Sequence, residues 1–191
     1  MSPSQETIPD ASGAAPRELS QVLAINRSTK AFSSYAVSLV SLPAGALYAP
    51  ITTATPGVKA YTSVQVSETA HIELNSDLVF CNHSCDPSLI FDMERNEVRV
   101  VDERALKEGE KVTFFYPSTE WEMAQPFDCT CGTERCVKRI SGAKDMDEEV
   151  LKRYRLNGHI ERLLEQRRKE RGQNGNANGH PTNGHATNGT A

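Results

Sequence analysis

Residues 80–87 read FCNHSCDP and place two cysteines four positions apart, with Asn82, His83 and Ser84 between them. A buried structural cysteine needs no such polar neighbours, and a metal site is one explanation that the rest of the sequence has to decide. Cys81, His83 and Cys85 all carry atoms that bind zinc. A structural zinc takes four ligands in a tetrahedron, and further ligands would have to come from elsewhere in the chain.

A second stretch, CTCGTERC (129–136), supplies three more cysteines, Cys129, Cys131 and Cys136. Three thiolates this close, with Gly132 permitting a tight turn, can converge on one ion. The fourth ligand must then come from the 81–85 stretch, where Cys81, His83 and Cys85 remain open at this point. We predict a zinc site; the alternative is a loop of unligated thiols, which oxidation would damage.

The totals fit one domain of a globular protein, with 191 residues, 38% hydrophobic and 24% charged. We find no apolar run of about eighteen residues and no secretory signal at the start, so we predict an intracellular protein without a membrane span. The formal net charge of −4 argues against nucleic acid as a direct ligand. A mildly acidic surface would suit a basic peptide or protein.

The middle of the chain is rich in short β-patterned segments, which predicts a mainly β core and not βαβ units. Pro and Gly turn signals separate them, and a hairpin is expected over 88–102 with its turn at 94–96. The remaining strands are expected at 35–42, 46–51, 61–67, 71–75 and 110–117.

The two ends differ in composition from the middle. We expect a disordered lead-in over 1–20 and a disordered tail over 172–191, which repeats Asn-Gly and lacks large aliphatic residues. Between them, 147–171 carries apolar residues at helical spacing, and Gly158 can divide that helix in two. The predicted segments are 21–128 for the main domain, 129–145 for the cysteine motif and 146–171 for the C-terminal helical segment.

Three motifs in order carry a family resemblance: NHSCDP (82–87), EGEKVTFFY (108–116) and CTCGTERCVKRI (129–140). Together they resemble the SET-domain lysine methyltransferases that carry a post-SET zinc motif. The resemblance is strong over 82–140, weak over 32–79, and absent from the C-terminal helix and tail. It implies a β-clip fold of short strands, a pseudoknot threaded by the NHSC segment, and a zinc loop beside an S-adenosylmethionine (SAM) pocket.

Carried over residue by residue, the resemblance assigns the site. Asn82, His83, Tyr116 and Ile140 would bind SAM, and the Tyr116 hydroxyl would also act in catalysis beside the transferring methyl group. Phe114 would line the substrate pocket, where we also place Trp121 from its aromatic loop. The implied structural zinc ligands are Cys85, Cys129, Cys131 and Cys136, and Cys81 would be a small buried hydrophobe.

The chain departs from the family pattern and reads as an atypical, compact member. The expected Gly-x-Gly turn near the N-terminus is replaced by Phe32-Ser33-Ser34-Tyr35, whose side chains could obstruct the cofactor. The glycine expected two residues after the last zinc cysteine is Lys138. Trp121 has a second interpretation, as a plug in the hydrophobic core.

The prediction is therefore a SAM-dependent methyltransferase acting on a protein lysine or a small amine. The alternative is a SET-like protein that transfers no methyl group and serves as a binding module, or one with its pocket repurposed for small-molecule chemistry. The orientation of Phe32 and Tyr35 separates them, because a side chain pointing inward would exclude the cofactor.

Overall fold

The computed structural model describes residues 18–176, and the side chains of residues 18–173. Within these residues the structure has twelve strands of two to four residues and one long helix near the C-terminus, which confirms the mainly β class. The strands are β1 Leu23–Asn26, β2 Tyr35–Ser38, β3 Leu47–Pro50, β4 Thr55–Gly57, β5 Ser63–Gln65, β6 His71–Glu73, β7 Asn82–His83, β8 Leu89–Asp92, β9 Glu97–Val100, β10 Thr113–Phe114, β11 Phe127–Asp128 and β12 Arg139–Ile140.

The strands form several small sheets. Two of them have three strands, in the orders β3-β9-β8 and β4-β6-β5, and every pairing in them is antiparallel. The β8–β9 hairpin falls where the sequence predicts it. The parallel pair β7–β10 matters most for the site, because it sets Asn82 beside Thr113 and His83 beside Phe114.

Three helices flank the sheets: α1 Leu19–Val22, α2 Glu148–Leu151 and α3 Gly158–Asn176. The predicted C-terminal helix is thus divided, and α3 begins at Gly158 and continues five residues beyond the expected end at 171. The predicted lead-in overlaps α1 at its last two residues, 19 and 20. Residues 1–17 and 177–191, which hold most of the predicted lead-in and tail, lie outside the described residues. Within 18–176, no helix combines the length and apolar character needed to cross a bilayer.

Two hydrophobic clusters hold the fold together. The larger one joins the sheets and includes Phe91, Val98 and Leu78. The smaller one lies beneath α3 and includes Phe115, Leu151 and Ile160. Each fully buried side chain of this size contributes about 1.5–3 kcal/mol. Phe115 belongs to the smaller cluster and its neighbour Phe114 to the larger, so the strand leading to Tyr116 lies between the two.

Candidate functional site

Four cysteines converge at one end of the sheets. The sulfur atoms of Cys85, Cys129, Cys131 and Cys136 all lie within 4.8 Å of one another, and the Sγ atoms of Cys85 and Cys129 are 3.8 Å apart. A tetrahedral zinc with bonds of about 2.3 Å separates its sulfur ligands by roughly 3.8 Å. The donor set and its spacing therefore fit a structural zinc. Cys81, by contrast, is buried in the main core, and burial raises the pKa of its thiol to about 12.

The loop that carries three of these cysteines lies between β11 and β12. It turns twice through left-handed backbone, at Gly132 (φ +73°) and at Lys138 (φ +68°). The Lys138 carbonyl accepts a hydrogen bond of 2.6 Å from the Cys129 N–H and so closes the loop. Lys138 stands where the family pattern has glycine, and it keeps a conformation that favours glycine although it carries a side chain.

His83 lies beside this cluster. Its Nδ1 accepts a hydrogen bond from the Tyr116 N–H at 3.3 Å, and its Nε2 faces the Cys85 sulfur at 3.4 Å. Because Nδ1 accepts, the ring proton belongs on Nε2 and points at the sulfur. Burial lowers the pKa of His83 to about 4, so the ring is neutral at physiological pH. His83 thus connects the cysteine cluster to the backbone of Tyr116.

Tyr116 follows β10 and opens a short 3-10 turn, Tyr116–Ser118. Its hydroxyl faces the Cys81 carbonyl at 3.5 Å. Its ring packs against those of Phe114 at 4.7 Å, His83 at 5.4 Å and Phe127 at 6.1 Å. Burial raises the pKa of the phenol well above its usual value, so the hydroxyl keeps its proton across the physiological range.

Aromatic rings, a neutral imidazole and a backbone carbonyl together suit a cation. Aromatic faces and carbonyl oxygens are negatively polarised, and the neutral His83 adds no opposing charge. SAM carries a positive sulfonium, so these residues fit that cofactor electrostatically.

The N-terminal turn does not point into the site through Phe32. The Phe32 side chain is 81% exposed and packs edge-on against Tyr61 at the surface, with ring centroids 6.1 Å apart. Its φ of +56° is again left-handed backbone at a non-glycine residue. The Tyr35 ring lies under the Lys111 ammonium at 4.1 Å, and the Ser34 carbonyl accepts a hydrogen bond of 2.8 Å from the Asn82 amide. The turn therefore meets Asn82 through its backbone.

The other predicted site residues fall in different places. Ile140 is fully buried and pairs with Phe127 across β11–β12. Phe114 stacks on Phe91 at 4.1 Å and contacts Tyr116, so it lies beside the catalytic candidate. Trp121 packs against the smaller core cluster, with the Arg167 guanidinium 5.7 Å from its ring. This placement matches its second interpretation, the core plug.

The segment that follows Tyr116 is held from three sides. Asn157 donates to the Ser118 carbonyl through its backbone N–H at 3.0 Å and its side-chain amide at 2.9 Å, and His159 contacts the Thr119 carbonyl at 2.8 Å. Backbone N–H groups at 143 and 144 donate to the carbonyls of residues 120 and 121. From the third side, Gln65 of β5 accepts from the Trp121 N–H at 2.8 Å. Tyr116 thus opens a turn whose position depends on the C-terminal helical segment.

Some of these contributors were not assigned from sequence. The sequence assigns no role to Phe127, and its position two residues before Cys129 is the available signal. Asn157 and His159 lie in a region without family resemblance, and nothing local marks them as partners of residues 118 and 119.

The small sheets, the four-cysteine cluster beside a half-buried tyrosine and the parallel β7–β10 pair define a SET-like domain with a C-terminal metal motif. No family model matches the chain. It is 53% identical over 145 residues to methyltransferase flvH of Aspergillus flavus, a match that covers 75% of this chain and 82% of that one.

More distant similarity extends to histone enzymes. The chain is 33% identical over 76 residues to a histone-lysine N-methyltransferase, H3 lysine-36 specific, of Debaryomyces hansenii, covering 38% of this chain and 10% of that one. A crystal structure of KRYPTONITE in complex with mCHH DNA, H3(1-15) peptide and SAH aligns with a TM-score of 0.44 and 22% identity, over 61% of this chain and 29% of that one.

The identity to flvH extends over most of both chains, and the chain belongs to the SET-domain methyltransferase family. Membership confirms the predicted class, a SAM-dependent methyltransferase. Nothing in the comparisons supports the alternative of a binding module without methyl transfer.

Proposed function

We propose that the protein transfers a methyl group from SAM to the nitrogen of an amine, either a lysine side chain or a smaller amine, with Tyr116 as the catalytic residue. The observation that carries this proposal is the half-buried Tyr116 phenol, packed among His83, Phe114 and Phe127 with its hydroxyl directed at the Cys81 carbonyl. SAM supplies, when bound, the electrophilic methyl group of its sulfonium.

The chain's own residues would position the reactants. Asn82, His83 and Ile140 would hold the cofactor, since Asn82 is fixed to the Ser34 carbonyl and His83 to the Tyr116 N–H. The attacking amine must be uncharged and in line with the breaking bond, so positioning supplies most of the rate. The protonated Tyr116 hydroxyl and the Cys81 carbonyl offer a polar cradle for the moving charge. We assign Phe114 to the acceptor side because its ring contacts Tyr116. Trp121 is not assigned to the acceptor side, because it packs against the smaller core cluster.

The zinc would act on structure and not on the reaction. Cys85 lies close to β7, and the other three ligands precede β12, which holds Ile140. A metal bound by all four would fix these two segments against each other, so we infer that the site forms only when zinc is bound.

The test is Tyr116→Phe in protein with one zinc per chain. Calorimetric titration of SAM should give the wild-type Kd, because the ring and its packing remain. Turnover, followed by mass spectrometry on a histone H3 peptide and on free lysine, should fall by at least about a hundredfold, the range typical of a lost polar group in an active site. Tyr61→Phe, at an exposed tyrosine, is the matched control. Full activity in Tyr116→Phe would refute the role of Tyr116, and no transfer by the wild type to any amine would refute the function.

Partners and location follow as proposals. A net charge of −4 supports a basic peptide or a small amine as acceptor. The basic residues of α3 support the view that nucleic acid is no direct ligand, since Arg167 and Arg168 both pair with Glu148 at 2.7 Å. None of the five cysteines forms a disulfide in the described structure, and four of them converge as metal ligands, which supports an intracellular, reducing location.

A further inference from the structure

Thr119 has one hydroxyl proton and two acceptors for it. Its Oγ1 lies 3.2 Å from the Tyr116 carbonyl oxygen and 3.1 Å from Oε1 of Glu120. The residue is fully buried, so water does not take over either contact. The hydroxyl can donate to one of these acceptors at a time. The Thr119 hydroxyl therefore donates its hydrogen bond to whichever of the two acceptors is the stronger base.

The strength of one acceptor changes with pH. Burial raises the pKa of the Glu120 carboxyl to about 7, although hydrogen bonds from the Gln65 N–H and from Thr119 act against it. Lys59 is the nearby cation. Two histidines lie next to the residues that contact this group, His71 opposite Gln65 in the sheet and His159 at the Thr119 carbonyl. Burial lowers the pKa of both histidines, and burial raises that of the Tyr116 phenol. Glu120 is therefore the group in this cluster whose charge changes around neutral pH.

We propose that Glu120 and Thr119 are positioning residues for methyl transfer, and that the proton on Glu120 decides whether Thr119 donates to the carboxylate or to the Tyr116 carbonyl. The inference rests on the proposed function. When the carboxylate is ionised, its hydrogen bonds are charge-assisted and stronger, so Thr119 donates to Glu120. When Glu120 takes up a proton from solvent, Thr119 donates to Tyr116 instead.

The ionised state ties the turn more firmly to β5. Gln65 donates its backbone N–H to Glu120 Oε1 at 2.9 Å, and its side-chain Oε1 accepts from the Trp121 N–H at 2.8 Å. This one residue of β5 therefore fixes both Glu120 and Trp121. The Tyr116 carbonyl keeps two backbone donors, the N–H groups of Thr119 and Glu120, each at 3.1 Å. Losing the Thr119 hydroxyl therefore leaves it satisfied. The ionised state should accordingly give the higher kcat.

The fluorescence of Trp121 reports the ionisation of Glu120 and needs no activity assay. It is the only tryptophan in the sequence and adjoins Glu120. Its fluorescence should change around pH 7 in the wild type and in Thr119→Val, and should stay flat in Glu120→Gln. The exposed neighbour Glu122, which pairs with Lys59 and Lys144, gives the matched control Glu122→Gln, whose titration should resemble the wild type.

The kinetic test is the ratio of wild-type kcat to that of Glu120→Gln, which cancels the ionisation of the acceptor itself. The ratio should be near one at pH 6 and rise about fivefold by pH 8.5. A fivefold change corresponds to the free-energy difference of roughly 1 kcal/mol between a charge-assisted and a neutral hydrogen bond. In a Thr119→Val background the Glu120→Gln effect should be clearly smaller, because only the Gln65 N–H bond to Glu120 then remains, while KM for SAM stays unchanged.

A ratio that is flat with pH, or an undiminished Glu120→Gln effect in the Thr119→Val background, would overturn the proposal. If the wild type transfers no methyl group to peptide or lysine, the proposed function fails. The fluorescence titration still tests the ionisation of Glu120 on which the proposal depends, and a wild type without a transition near pH 7 overturns the proposal.

Discussion

Replacing Asn157 by alanine should separate the C-terminal helical segment from the turn that begins at Tyr116. The side-chain amide of this buried residue donates to the carbonyls of Phe91 and Ser118, each at 2.9 Å, and its Oδ1 accepts from the Met93 N–H at 2.8 Å. Each such bond is worth about 1 kcal/mol net, and a buried donor left without a partner adds a further penalty. We expect a loss of about 3–4 kcal/mol in the free energy of unfolding.

Urea denaturation with zinc at saturation measures this loss, and Asn26→Ala, at an exposed asparagine that ends β1, is the control, expected to change stability by less than about 0.5 kcal/mol. At temperatures where the variant is still folded, kcat should fall more than KM for SAM changes, since Asn82, His83 and Ile140 lie on β7 and β12 and only Tyr116 lies in the turn. A loss below about 1 kcal/mol would mean that the three bonds do not anchor α3, and the account of how the turn is held would be wrong.

Three further predictions concern the metal loop and Glu120. Lys138→Gly should raise the free energy of unfolding by up to about 1 kcal/mol by relieving left-handed strain, whereas Lys138→Ala keeps the strain; equal effects in urea melts would contradict this explanation. Removing zinc with a chelator should expose 127–140 to rapid amide hydrogen exchange, as should Cys85→Ser, because metal binding and folding of such loops are coupled; unchanged protection would show that the loop folds without metal. The pKa of Glu120 is raised to about 7 from its ordinary 4.5, so its stabilising contribution is complete below about pH 4.5 and is lost as pH rises through 7. Glu120→Gln should therefore match the wild type near pH 4.5 and exceed its stability by up to about 3 kcal/mol at pH 8.5; a difference that does not vary with pH in urea melts would rule out this ionisation.

The metal cluster could be predicted because ligand chemistry leaves few choices. Three cysteines in CTCGTERC need a fourth donor from a distant segment, and FCNHSCDP offered three candidates. The family resemblance selected Cys85, and its sulfur lies with the other three while Cys81 is in the core. The hairpin over 88–102 could also be predicted from the sequence, because its turn residues and strand pattern lie within one short segment.

Contacts between distant segments could not be predicted in the same way. Gln65 reaches Glu120 across 55 positions, and Asn157 reaches Phe91 across 66, with no periodic pattern linking either pair. Trp121 left two interpretations open because an aromatic residue suits a pocket wall and a core equally well. The orientation of the Phe32 side chain depends on the left-handed backbone torsion angle at that residue, which the residue type alone does not predict.

Phe32 and Lys138 share one property with a wider consequence. Phe32 lies in the segment that replaces the expected Gly-x-Gly turn, and Lys138 stands at a glycine position of the family pattern. Both have left-handed torsion angles, at a cost of roughly 1–2 kcal/mol each. A residue with a side chain can therefore replace a motif glycine while the backbone keeps a torsion angle that favours glycine. Relatives with similar substitutions would be recognised by comparing backbone dihedral angles along the two loops. A search with a pattern of amino-acid identities would miss them.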